Sequence, residues 1–204
     1  MEYLFFIIIL IISIIIHEVS HGAAANFLGD PTAKNAGRLT LNPIKHIDPM
    51  GSVFLPLILI LAGSPILFGW AKPVPINPYN FRDQKYGPAK SALAGPAANL
   101  TIALIFGLAL RFLPSFAALS GIVPMFSYIV YINLLLAIFN LLPIPPLDGS
   151  HILFSLLPSS FENFKIFLSQ FGTFILIFII LFFFHWIAII INLLFKLIVG
   201  AQFF

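Results

Sequence analysis

The fourteen residues from Tyr3 to Ile16 carry no charge, no glycine and no proline, and they run straight into His17-Glu18-Val19-Ser20-His21. A continuous apolar run of this kind has few stable homes. In lipid its backbone must be satisfied within the segment, so it reads as a helix that enters a bilayer. Three ionisable groups on one turn of such a helix are costly and mark function. His17 and His21 are four apart and share a helix face. Two imidazoles so placed can chelate one metal ion, and Glu18 beside them can take a proton from water at the metal. The bland alternative, helix-end polarity facing a loop, does not explain why all three sit inside an apolar run.

Composition extends the argument to the whole chain. Of 204 residues, 60% are hydrophobic and 8% charged, against about 25% charged in soluble domains. An integral membrane protein follows. The apolar runs are continuous and do not alternate, which argues against a barrel. The net charge of +3 is carried by loops beside membrane spans, so it is no sign of nucleic acid. With no cysteine, disulfides and thiolate ligands are excluded. Glu2 replaces the basic start of a secretory signal and the run continues through the motif, so the first helix reads as retained.

The fold expected is a single all-α polytopic membrane domain, 1–204, with about five membrane helices. These fall at about 3–28, 91–112, 124–142, 166–184 and 186–200, with Gly29-Asp30-Pro31 ending the first and His185 dividing the last two. Loop 29–50 holds Lys34, Arg38 and Lys45, and loop 71–90 holds Lys72, Arg82, Lys85 and Lys90, whereas the link 114–121 holds no charge. Both basic loops are therefore expected on the cytoplasmic side. Segment 51–70, broken at Pro56 and at Gly63-Ser64-Pro65, must then enter and return; a single crossing is the other reading. Short β-strands are expected in these loops, above all at Arg38-Leu39-Thr40-Leu41.

A catalytic zinc needs a third protein ligand and an open position. Asp148 follows a proline-rich turn after the fourth helix, and the acids Glu2, Asp30, Asp48, Asp83 and Glu162 lie at a terminus or in polar loops. Asp148 is thus the best-placed third ligand, although Asp-Gly is also a common turn pair. Asn140 lies within reach of a substrate carbonyl near Asp148. Asn133, seven residues earlier, reads as an interhelical hydrogen-bonding group. His185 reads as an ordinary interfacial histidine, as do His46 and His151 as loop histidines, although for these two a supporting contact to the metal site is the alternative. Gly95 reads as a close-packing glycine, and Asn192 with Lys196 as contacts to lipid headgroups.

His17-Glu18-Val19-Ser20-His21 together with Asn140-x-x-Pro143-x-x-x-x-Asp148-Gly149 resembles the site-2 protease family of intramembrane zinc metalloproteases. The likeness covers most of the chain and is to the short bacterial and archaeal branch without PDZ or CBS domains. Pro146-Leu147-Asp148-Gly149 stands where the family more often has Asn-Pro-Asp-Gly. The resemblance implies zinc ligated by His17, His21 and Asp148, with Glu18 as general base. It also implies a transmembrane protein as substrate, cut near the cytoplasmic face of the cell membrane. Asn140 is expected to help hold the oxyanion, and Arg38 to Leu41 to pair with an unwound substrate as an added strand. The rival readings are a metal or proton transporter, whose internal repeats are not seen, and a non-catalytic adaptor with a structural zinc, which has no need of Glu18.

Overall fold

The computed structural model describes residues 2–63, 69–112 and 121–200. Among these the regular structure is helical, with no strand. The helices are α1 (Glu2–Phe27), α2 (Thr32–Asn35), α3 (Leu55–Leu61), α4 (Gly87–Phe112), α5 (Ile122–Asn140), α6 (Asp148–Leu156) and α7 (Glu162–Val199). Among the described residues, four apolar segments are long enough to cross a membrane by length and composition: Leu4–Phe27, Gly87–Phe112, Ile122–Asn140 and Ser159–Val199.

The expected break at His185 is absent, which reduces five long helices to four. α7 is one helix of 38 residues, ended by Gly200 at φ 86°. Histidine keeps its backbone N–H and has ordinary helix propensity, so polarity alone does not interrupt a helix as proline would. At ~1.5 Å per residue α7 is ~57 Å long, nearly twice a ~30 Å hydrocarbon core.

The expected strand at Arg38–Leu41 carries no ladder. Its polar groups go into local turns instead: Arg38 N–H donates to Ala33 O at 3.0 Å, and Thr40 O accepts from His46 Nε2 at 2.8 Å. In segment 51–70, a wide turn over Pro49–Phe54 leads into α3, and Pro56 falls in the first turn of that helix. Proline is tolerated there, so it does not act as the expected break. Gly63, at φ 67°, leaves the helix; Ser64 and Pro65 lie outside the described residues, as do residues 113–120 of the link after α4. The two ends of the segment meet. Trp70 N–H donates to Gly51 O at 3.2 Å and Ser52 Oγ to Trp70 O at 2.8 Å.

α4 is central and packs on α1, α5, α6 and α7. Its buried face carries Ser91, Ala92, Gly95, Ala103 and Gly107, small residues that let membrane helices approach closely. Ala103, Val130, Leu134, Ile187, Ile191 and Phe195 join α4, α5 and α7 in one core cluster.

A polar knot closes the C-terminal end of α1. Asp30 is fully buried. Its Oδ1 accepts from Thr32 N–H at 3.1 Å, from Asn80 Nδ2 at 2.9 Å and from the Thr32 hydroxyl; its Oδ2 accepts from Asn77 N–H at 2.7 Å. Burial pushes the carboxyl pKa up, but these donors outweigh it and hold the group below the ordinary carboxylate range. The knot fixes residues 77–80 against α1, three residues from the part of the chain that reaches Glu18. Asp30→Ala leaves those donors without an acceptor and is expected to cost roughly 1–3 kcal/mol, read by thermal unfolding in detergent. Because folding lowers this pKa, the wild-type advantage is complete above about pH 4 and fades as pH falls through the folded value. An advantage that grew on acidification would show that the ionised form is not what the donors hold.

Candidate metal centre

Ser13, His17 and His21 recur every four residues on α1, and Ser91, Gly95 and Asn99 do so on α4. Residues four apart share a helix face. The two stripes meet antiparallel, Asn99 beside Ser13 and His17, and Ser91 beside His21. Both imidazoles are buried. His21 Nδ1 lies 2.8 Å from Ser91 O, while Ser91 Oγ returns a hydrogen bond to His21 O at 3.0 Å. A carbonyl only accepts, so His21 Nδ1 carries the ring proton. His17 Nδ1 lies 2.6 Å from Asn99 Oδ1 and carries its proton by the same logic. Both Nε2 atoms are left as bare lone pairs.

Those lone pairs converge. His17 Nε2 and His21 Nε2 are 3.0 Å apart, and Asp148 Oδ2 lies 3.1 Å from the first and 3.2 Å from the second. Asp148 Oδ2 is buried and has no hydrogen-bond donor, which fits imidazoles whose protons face away. Zinc ligands at ~2.0–2.2 Å in a tetrahedron stand about 3.3 Å from each other, so the triangle has the size of one tetrahedral face. Two nitrogens and a carboxylate oxygen are the donor set of a catalytic zinc with its fourth position open. Among the described residues, this is the one group of three such donors close enough to share an ion.

Local chemistry explains how the donors get there. Asp148 opens α6, after a loop that coils through Ile144 N–H to Leu142 O at 2.8 Å and Leu147 N–H to Ile144 O at 2.9 Å. The Pro145–Pro146 peptide of that loop is cis. A Cβ on Gly149 would strike the carbonyls of Leu141 and Leu142, so glycine is what lets this loop close on α6. On α4, Pro96 has no N–H for Ala92 O, which opens a gap in the helix ladder next to the imidazoles. Glu18, half-buried, points to the flank: its Oε2 accepts from Val74 N–H at 2.8 Å.

The other residues singled out in the sequence are placed as follows. Asn140 Nδ2 donates to Leu136 O at 2.9 Å within its own helix, and makes no hydrogen bond to the donor triangle among the described residues. Arg38 Nη2 donates to Lys72 O at 2.7 Å, which ties Arg38–Leu41 to the segment carrying Val74. His46 is buried on Thr40 O, and His151 and His185 are exposed. Sequence reasoning missed Ser91, Val74 and the role of Asn99. The repeat of small and polar residues every four positions on α4 was the available signal.

Gly95 is more than a packing glycine. A Cβ there would lie 2.7 Å from His17 Cε1 and closer still to the His21 ring. Gly95→Ala is therefore expected to push the imidazoles off the triangle, at about 1–3 kcal/mol of overpacking. The purified variant should lose most of its bound metal by elemental analysis while keeping its helical circular dichroism. Full metal retention would show that the imidazoles can yield.

Comparisons with known proteins show the family. A family model described as Peptidase family M50 matches residues 108–183, a stretch that includes Asp148. The protein named "Putative zinc metalloprotease YwhC" of Bacillus subtilis is 41% identical over 160 residues, covering 76% of this chain and 69% of that protein. "Putative zinc metalloprotease Rip2" of Mycolicibacterium smegmatis is 36% identical over 142 residues, covering 68% and 52% respectively. Its namesake in Mycobacterium tuberculosis is 33% identical over 142 residues. The chain spans about half the length of these Rip2 relatives, 52% in each. No solved structure matches the chain. With a relative aligned along 76% of this chain and 69% of its own, the chain belongs to peptidase family M50, the site-2 protease family of zinc-dependent metalloproteases.

Proposed function

We propose that the protein hydrolyses peptide bonds within or next to transmembrane segments of other membrane proteins, as in regulated intramembrane proteolysis at a cell membrane. His17, His21 and Asp148 hold the zinc and Glu18 is the general base. The observation that carries this reading is the triangle of unprotonated donors, 3.0–3.2 Å on a side, beside a carboxylate on the next residue of the same helix. When bound, zinc supplies a Lewis acid that polarises the scissile carbonyl and acidifies water. Glu18 takes a proton at one carboxylate oxygen and returns it to the leaving amine. Its other oxygen, Oε2, stays on Val74 N–H, which keeps the carboxylate aimed. Asn140 has one amide hydrogen committed to Leu136 O and a second to offer the oxyanion.

A helical substrate hides its amides and must present an extended segment. Arg38–Leu41 is the docking edge proposed from the sequence, and Arg38 joins it to Gly69–Ile76. The second segment is favoured by its own bonding pattern. Trp70, Lys72 and Val74 donate inward, to Gly51 O, His46 O and Glu18. That period of two turns the carbonyls of Ala71 and Pro75 the other way, toward incoming N–H groups. Thr40→Pro decides between the two edges, since it lowers cleavage in a zinc-replete protein if the first one docks substrate.

Glu18→Gln is expected to lower cleavage by ~10²–10⁴-fold and to keep its zinc. Membrane proteins that are full-length in cells with this variant and cut with wild type would be the substrates. Equal cleavage by both would remove Glu18 from the reaction; zinc flux into liposomes would revive the transporter reading. The meeting of Gly51 with Trp70 supports a segment 51–70 that re-enters on one side. Cysteines placed at Ala36 and at Gln84 should then react with an impermeant reagent from the same side. Labelling from opposite sides would mean that the segment crosses.

A further inference from the structure

Asn99 and Asn133 are both fully buried, on α4 and α5, and neither belongs to the donor triangle. Their amides form a chain with a direction. Asn133 Nδ2 donates to Ile129 O at 2.9 Å and to Ser13 Oγ at 3.0 Å. A backbone carbonyl only accepts, so the NH₂ end of Asn133 is fixed there and its Oδ1 must face the other way. That Oδ1 accepts from Asn99 Nδ2 at 2.7 Å. Asn99 Nδ2 also reaches Ser13 O at 3.3 Å. The oxygen end of Asn99 is thereby turned to His17 Nδ1.

We propose that Asn133 and Asn99 are positioning residues that select the metal-binding tautomer of His17. The polarity runs from the carbonyl of Ile129 through two amides to the imidazole. It places the ring proton on Nδ1 and the lone pair on Nε2. An amide has a wrong end. Were Asn99 reversed, its NH₂ group would face His17 Nδ1, favour a lone pair there, and put the proton on the nitrogen that must bind metal. In lipid no water is at hand to correct the mistake. Asn133 Oδ1 at 2.7 Å, with the Ser13 carbonyl at 3.3 Å behind it, makes the reversed orientation unfavourable. His21 needs no such relay, because its partner is the Ser91 carbonyl, which has no second end.

This inference rests on His17 being a zinc ligand, so the test separates the two claims. The zinc-loaded full-length protein in detergent is challenged with a chromophoric chelator, and its apparent zinc affinity is measured. His17→Ala tests the ligand itself; unchanged affinity there would overturn the ligand assignment and this inference with it. Asn99→Leu is expected to weaken zinc 10–100-fold, the usual effect of losing such a partner. Asn133→Leu should weaken it by less, since Asn99 keeps the Ser13 carbonyl as a guide. The decisive variant is the double one. With Leu at position 99 there is no amide left to orient, so adding Asn133→Leu should leave zinc affinity where Asn99→Leu alone puts it. A purely structural role predicts the same loss from Asn133→Leu in both backgrounds, and that result would overturn the proposal. So would wild-type affinity in Asn99→Leu. Thermal unfolding of each variant separates general destabilisation from loss of zinc.

Discussion

Two imidazole lone pairs and a carboxylate oxygen, 3.0–3.2 Å apart and buried, repel one another unless a cation lies among them. The effective dielectric of such an interior is well below that of water, which strengthens both the repulsion and its relief. The rest of the site follows from this constraint. The ring protons must point outward, so each Nδ1 needs an acceptor, and α4 supplies Ser91 O and Asn99 Oδ1. The rings need room, so the residue between those acceptors is glycine. The third donor cannot come from the same helix face, so the loop after α5 coils Asp148 back onto α1. Ligand geometry, helix packing and loop structure are here one problem with one solution.

That solution depends on two helices reading each other in fours. On α1 the stripe is Ser13, His17 and His21; on α4 it is Asn99, Gly95 and Ser91. Between membrane helices, apolar contact adds little, because lipid is as apolar as the partner. Small residues and polar pairs decide which faces meet. The same groups that hold α1 on α4 also meet Nδ1 of the two imidazoles. Helix association and site assembly therefore draw on the same hydrogen bonds, and loosening one loosens the other.

Much of this was legible in the sequence. The long apolar helices, the His17–His21 spacing and the candidacy of Asp148 all follow from local pattern and from the cost of charge in lipid. What was not legible has physical reasons. The break assigned to His185 mistook polarity for helix disruption, although histidine retains the donor that proline lacks. The strand at Arg38–Leu41 looked right by composition, but composition does not show that Ala33 and His46 claim its backbone. α6 was missed because nine residues beginning at an Asp-Gly pair also read as a turn. Ser91 and Asn99 were passed over individually, since a lone polar residue in a membrane helix has many uses. Their meaning lies in the spacing relative to a second helix, which one stretch of sequence does not contain.

The segment from Lys72 to Ile76 shows how sparing the site is with donors. Prolines at 73 and 75 have no N–H, so Val74 alone donates from the centre of this stretch, and its hydrogen bond goes to Glu18. Were Pro73 and Pro75 replaced by residues with an N–H, the alternation of the strand would aim two more donors outward, on the side opposite Val74 N–H. They would complete an edge capable of pairing with a second copy, which proline on an edge prevents. The alternation of proline with a single donor thus meets two demands together. Val74 is left as the inward donor that holds Glu18 at one oxygen, and the outward side keeps carbonyls without proline N–H groups, as the proposed docking of an extended substrate requires.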